Sequence, residues 1–309
     1  MRSRIWPSTG DSVSGLGWEL GRRDLSDLRS VEILLRRSAD RGINLVAWRE
    51  PGGILAERAL QESGLLRTFD GHLILPRSVR DLDPSTAPRS DVESRAARLE
   101  STLPPLGESP GRGPKLWIEW DPADAGPDLA RDFREALQLL VRRGRIRGWG
   151  TRSAHWKVMS SSPGSPMFVT RVQSLMMRET PLDPLPEGLP GLARDVLAGG
   201  RLAGLTLPTG VAPGTAVTGP PRPVRSLSEN WTPVLRLGFL AVRGKRTLGQ
   251  AAIRWAIERP GVYAALVPLP PPERFEEFAG WEGTPPLTPE ELRRVDELRS
   301  GMPWTNENA

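Results

Sequence analysis

Apolar residues follow two alternating rhythms along the chain. Short runs bounded by Gly, Pro or charge read as buried strands, and longer stretches with apolar residues every three or four positions read as amphipathic helices. The junction at 142–153, RRGRIRGWGTRS, displays the change of rhythm most clearly. Phe133, Ala136, Leu137, Leu140 and Val141 share one helical face, Gly144 stands where a C-terminal cap belongs, and Ile146–Thr151 turns directly into a strand.

The same alternation predicts strands at Ser12–Trp18, Ile43–Ala47, His72–Pro76, Leu116–Trp120, Ile146–Thr151, Phe168–Gln173, within Leu192–Gly204, and at Tyr263–Pro268. Helices are expected at Leu28–Asp40, Leu55–Ser63, Asp91–Leu103, Leu129–Arg143 and Thr247–Ile257. A capping box of Thr288 and Glu291 opens a terminal helix at about 288. Eight strands alternating with helices predict an α/β fold, a single (β/α)8 TIM barrel over residues 1–309, rather than an open sheet. The Pro- and Gly-rich segment 204–233 interrupts the pattern as a long loop.

Composition narrows the chemistry. The chain has no Cys, which excludes disulfides, thiolate catalysis and Cys-based metal sites. Its 309 residues include one Tyr, Tyr263, and two His, His72 and His155. The lysines are Lys115, Lys157 and Lys245. A net charge of +5 is modest for the length, so nucleic acid is not an expected partner. Arg142, Arg143, Arg145, Arg147 and Arg152 cluster in sequence and read first as a solvated helix end complementing the dipole. No apolar run reaches membrane-spanning length and the first residues lack the apolar region of a signal peptide, so the expectation is a cytoplasmic protein without a membrane partner.

Several blocks in order then carry a family resemblance. SVSGLGW at 12–18, GINLVAW at 42–48, LWIEWDPAD at 116–124, RRGRIRGWGTRS, LAGGRLAG at 197–204 and TLGQAAIRWAIERPGVYAALVP at 247–268 together resemble the aldo-keto reductases, from about Ser12 to about Leu298. That resemblance implies the barrel, NADP as cofactor, and carbonyl reduction by an Asp, Tyr, Lys and His tetrad. At the corresponding positions this chain reads Ala47 for Asp, Pro51 or Gly52 for Tyr, Arg77 for Lys and Trp120 for His. A carbonyl accepting hydride needs a proton donor or positive charge at its oxygen, and a guanidinium gives up a proton poorly at neutral pH.

For the cofactor, the resemblance places Gln173 at the nicotinamide amide, Arg152 and Ser153 where Ser-Asn is usual, and Arg274 as a phosphate contact after a proline run that lacks N–H donors. Other polar groups near predicted strand ends are Glu119, Asp121, Arg49, Glu50 and His155. Strand alternation, taken with Trp120 facing the site, turns Glu119 away from it and leaves Asp121 as the acidic group within reach. Trp48, Trp120 and Trp149 are candidates to line or plug the pocket. The leading expectation is an aldo-keto-reductase-like pseudoenzyme, a binding, regulatory or scaffold protein taking a small molecule or nucleotide at the barrel mouth, or a protein partner. The alternative is an NADP-dependent oxidoreductase in which Arg77 supplies the missing charge.

Overall fold

The computed structural model describes residues 2–21, 24–49, 69–77, 91–104, 113–121, 127–152, 165–176, 185–203 and 233–301. An antiparallel hairpin, β1 (Ser3–Ile5) and β2 (Ser12–Ser14), precedes the barrel. Eight parallel strands then close on themselves in chain order: β3 (Leu16–Leu20), β4 (Leu45–Trp48), β5 (His72–Arg77), β6 (Lys115–Trp120), β7 (Gly148–Arg152), β8 (Val169–Val172), β9 (Gly191–Arg194) and β10 (Val262–Pro268), with β10 pairing back onto β3. The expected (β/α)8 barrel is therefore present. The first strand is displaced, because Ser12–Trp18 divides at Gly15 into a hairpin arm and the start of β3. Trp18 and Glu19 continue that strand inside the barrel.

Five helices lie where periodicity places them, α1 (Leu28–Asp40), α2 (Val92–Ser101), α3 (Pro127–Arg142), α4 (Leu248–Ile257) and α6 (Pro289–Gly301), and the short α5 (Phe275–Ala279) is one the sequence reading did not mark. Their ends obey local chemistry. The Asp91 carboxylate accepts from Ser94 N, Thr247 and Gln250 form a reciprocal capping box, and Thr288 with Glu291 forms another. Gly144 takes φ 69° just beyond α3, a left-handed conformation that ends the helix without a Cβ penalty. The predicted helix 55–63 and nearly all of the 204–233 loop lie outside the described residues. Among those described, no helix is long and apolar enough to cross a membrane.

Two cores result from strand alternation. Leu16, Trp18, Val46, Trp48, Leu75, Ile118, Trp120 and Trp149 face outward and pack under the helices, with Trp120 stacked on Phe133 of α3 at 4.7 Å. Leu45, Ala47, Ile74, Trp117, Phe168, Leu192, Ala264 and Leu266 face inward and fill the barrel with Trp6 from the hairpin. Two glycines of β7 make room for this filling. A Cβ on Gly148 would lie 2.7 Å from the Trp117 ring, and one on Gly150 would lie 2.4 Å from Phe168. The arginines beyond α3 are tied down: Arg143 pairs with Glu93, Arg145 with Glu100 and Arg147 with Asp11.

Candidate functional site

The N-terminal end of the barrel is closed. Trp6 stacks on Trp117 at 4.3 Å, meets Phe168 edge-on and donates its indole N–H to Met167 O. Beside it the Trp117 indole donates to His72 Nδ1 at 3.1 Å, so the ring proton sits on Nε2, which donates to Ser12 O at 3.2 Å. Burial holds the imidazole pKa below its usual range, with the Lys115 charge acting in the same direction. Asp11 accepts from Lys115 and Arg147 and is held well below the carboxylate range by those hydrogen bonds, which outweigh its burial together. Tyr263, the chain's one tyrosine, is the second residue of β10 and has Arg4 over its ring at 5.6 Å.

The C-terminal end, where ligands sit in such barrels, is built differently. Arg194, the last residue of β9, crosses the barrel axis. Its Nη2 lies 2.6 Å from Glu119 Oε2 of β6, its Nε lies 3.4 Å from Glu19 Oε1 of β3, and it reaches Trp48 O of β4 at 3.4 Å. Thr170 of β8 donates to Glu119 Oε1. One guanidinium thus links strands on opposite sides of the barrel. The contacts are close without being well directed: Arg194 Nε and Glu119 Oε2 are buried and neither has the angle of a hydrogen bond. Burial raises the Glu19 pKa, against the lowering influence of Arg194 and Arg49.

Above this layer stands Arg152 at the end of β7. Its Nε is 3.6 Å from Glu119 and its Nη1 is 3.4 Å from Asp121, and the side chain is 45% exposed. Across the mouth, Asp195 follows Arg194 in a left-handed conformation, φ 54°, and its carboxylate accepts from Gly199 N at 2.8 Å. Burial raises the Asp195 pKa, opposed by that hydrogen bond and by Arg49 and Arg201.

The expected site residues scatter relative to this arrangement. Ala47 faces the interior, as its position requires. Arg77 does not: it alternates with Ile74 and turns outward, where Nε donates to Thr102 Oγ1 and Nη2 to Thr102 O at the end of α2. Trp120 likewise faces the helices, so Glu119, on the same face as Trp117, points into the barrel, the reverse of the expected phase. The reason is that residues 116–120 of β6 are buried on both faces, Glu119 included, so burial alone does not fix which face is inner. Trp48 and Trp149 also belong to the outer core and neither line nor plug the mouth.

Gln173 continues β8 with its N–H on Arg194 O, and its side-chain Oε1 is buried with no partner. Arg274 is consumed within the chain: Nε donates to Glu277 at 2.7 Å, Nη2 lies 2.5 Å from the same carboxylate, and Nη1 donates to Ala203 O at 2.6 Å. Pro51, Gly52, Ser153, Glu50 and His155 lie outside the described residues. Sequence reasoning missed Glu19 and Arg194. Their signal was a charged residue ending an otherwise apolar strand, in LGWEL and in GLAR.

No protein-family model matches the sequence, and no curated protein matches it. Solved structures do share the fold. An aldo-keto reductase from Klebsiella pneumoniae in complex with NADPH aligns with TM-score 0.66 at 17% identity, covering 98% of this chain and 96% of that one. A glycerol dehydrogenase from Gluconobacter oxydans aligns with TM-score 0.66 at 18% identity, covering 99% and 97%. The holo form of an aldo-keto reductase from Bacillus halodurans aligns with TM-score 0.62 at 16% identity, covering 96% of each chain. The barrel is therefore of the architecture that aldo-keto reductases use, and at these identities the likeness speaks to fold.

Proposed function

We propose that this barrel is a ligand-binding protein that does not perform nicotinamide-dependent carbonyl reduction, with its ligand seated at the barrel mouth above Arg194. The observation that carries the reading is the internal pairing of the charges a reductase would turn toward its substrate. Arg194 is shared between Glu19 and Glu119, and Arg77 is turned out onto Thr102. Hydride transfer to a carbonyl needs a donor aimed at the developing oxyanion, and a guanidinium already neutralised by buried carboxylates is a poor one.

The described residues do not fit the phosphates of NADP. Arg274, the cation placed for them by resemblance, spends its donors on Glu277 and Ala203 O, and Pro270, Pro271 and Pro272 contribute no N–H. A scaffold role with a protein partner is a variant of the same reading, in which the mouth is a structural relic.

A second reading has one observation in its favour. The buried, unpartnered Oε1 of Gln173 stands where the family resemblance puts a nicotinamide amide, and an orphaned buried acceptor invites a donor. It would make the chain an NADP-dependent oxidoreductase, as the fold neighbours are named. Incubating the protein with NADPH and a panel of aldehydes and ketones separates the two. The first reading expects cofactor consumption at the rate of the protein-free control, and turnover abolished by Glu119→Gln would replace it with the second.

A further inference from the structure

The hairpin that closes the base of the barrel leans on a titratable group. His72 opens β5, 2% exposed, between Leu45 of β4 and Lys115 of β6. An indole N–H only donates, so the bond from Trp117 obliges Nδ1 to be an unprotonated acceptor, and the ring's single proton on Nε2 goes to Ser12 O. The ring therefore fits its site in one protonation state and one tautomer. Both of its partners belong to the closure. Ser12 begins β2 of the hairpin, and Trp117 carries Trp6 on its face at 4.3 Å.

A second proton would go onto Nδ1, directly against the Trp117 N–H. It would also find no free counter-charge. Around the ring, Lys115 of β6 and Arg147 ahead of β7 are cations, and Asp11 of the hairpin is already held by both, at 2.8 and 2.7 Å. β4 offers only the neutral Leu45 and, just before it, Asn44, while Asp70, two residues ahead of His72, is exposed. An imidazolium at this place is desolvated, opposed by a donor and flanked by two cations. Water reaches it only when the hairpin lifts.

The hairpin's other anchors do not titrate in the range of a histidine. Asn44 donates to Ser12 O and accepts from Ser14 N, Trp6 donates to Met167 O, and Asp11 is held ionised far below neutrality. Those bonds set how firmly the base is shut, and His72 sets how the closure depends on pH.

We propose that the hairpin of β1 and β2, with Trp6, is an acid-released latch on the base of the barrel and that His72 is its trigger: the neutral ring holds the base shut and the protonated ring favours the open state. Opening bares Trp117 and Phe168 to water, and it is independent of what the mouth binds. The closed state takes the proton less readily than the open one, so closure weakens as pH falls below the open-state value of about 6.5, by at most about tenfold per pH unit.

Hydrogen exchange of the full chain, read by mass spectrometry between about pH 7.5 and about pH 5 with each rate corrected for its intrinsic pH dependence, tests the inference. Protection of the hairpin should hold to about pH 6.5 and then fall by up to about tenfold per unit, while β10 and α4 keep theirs. His72→Gln keeps an acceptor and a donor but takes no proton in this range, and should make hairpin protection independent of pH. Trp117→Phe removes the opposing N–H, so its closed state accepts the proton more readily and the total fall should shrink. A flat profile in the unaltered chain, a loss shared equally by β10 and α4, or a pH dependence that survives in His72→Gln overturns the inference. Should His72→Gln fail to fold, an undiminished fall in Trp117→Phe overturns it as well.

Discussion

The two ends of this barrel solve opposite problems. The N-terminal end is apolar and satisfied: Trp6, Trp117 and Phe168 interlock, and His72 has a partner on each ring nitrogen. The C-terminal end is charged and strained, with a guanidinium stretched between two buried glutamates, polar atoms lacking directed bonds, and a non-glycine residue, Asp195, in left-handed backbone. Strain and unfilled polar capacity gather at the C-terminal end, where barrels of this kind place their ligands, and packing gathers at the other. The contrast yields predictions in which damage to one end should be silent at the other.

The largest effect is expected from Arg194→Ala. Glu19 and Glu119 would remain buried without their cation, at a cost of about 3–5 kcal/mol, measured by denaturant unfolding. Changing Glu19 and Glu119 to Gln in the same chain should return most of that loss, because what destabilises is the uncompensated charge. A loss below about 1 kcal/mol would mean that the cluster is effectively solvated.

Trp6→Ala should cost about 3–5 kcal/mol at the other end, since it empties the plug between the hairpin and Trp117. The losses from Trp6→Ala and Arg194→Ala should add in the double variant, because the two clusters share no residue. A smaller effect, about 1–3 kcal/mol, is expected from Gly150→Ala, whose added methyl meets the Phe168 ring and forces it to shift.

The smallest effects are in pH dependence, and the two ends carry opposite signs. His72 is held below its usual pKa, so as pH falls below about 6.5 the unfolded chain takes a proton that the native ring refuses, and stability falls. Asp11 is also held low, so its contribution is present above the ordinary carboxylate pKa and is lost on further acidification. Glu19 is raised, so its contribution is present below about pH 4.5 and declines as pH rises through its elevated value. Stability measured against pH should therefore lose its alkaline slope in Glu19→Gln and part of its acid slope in His72→Gln. Identical profiles for the two variants would erase the distinction between the ends.

The sequence made the barrel legible because its signals are local and repeated. Apolar runs, helical spacing, the Gly144 helix end and the Thr288 capping box each act within a few residues, and the alternation of strands and helices implies closure. The mouth was legible only in part. Arg152 ends β7 and Gln173 follows β8, the strand ends where the sequence put them, but Arg77 and Trp120 were expected inside and face outward. A barrel strand is apolar on both sides, so the sequence carries the alternation without its phase, and a single residue of slip exchanges Glu119 with Trp120. Glu19 and Arg194 escaped notice because their partners come from strands far apart in the chain, and only closure brings them together.

The most direct test of the account is titration of the purified protein with NADPH, following the fluorescence of its tryptophans and confirming by calorimetry. An Arg274 already bound to Glu277 and a proline run without donors predict no saturable binding at millimolar cofactor. Tight, saturable binding that Arg274→Ala weakens would contradict it, and would return this mouth to nicotinamide chemistry.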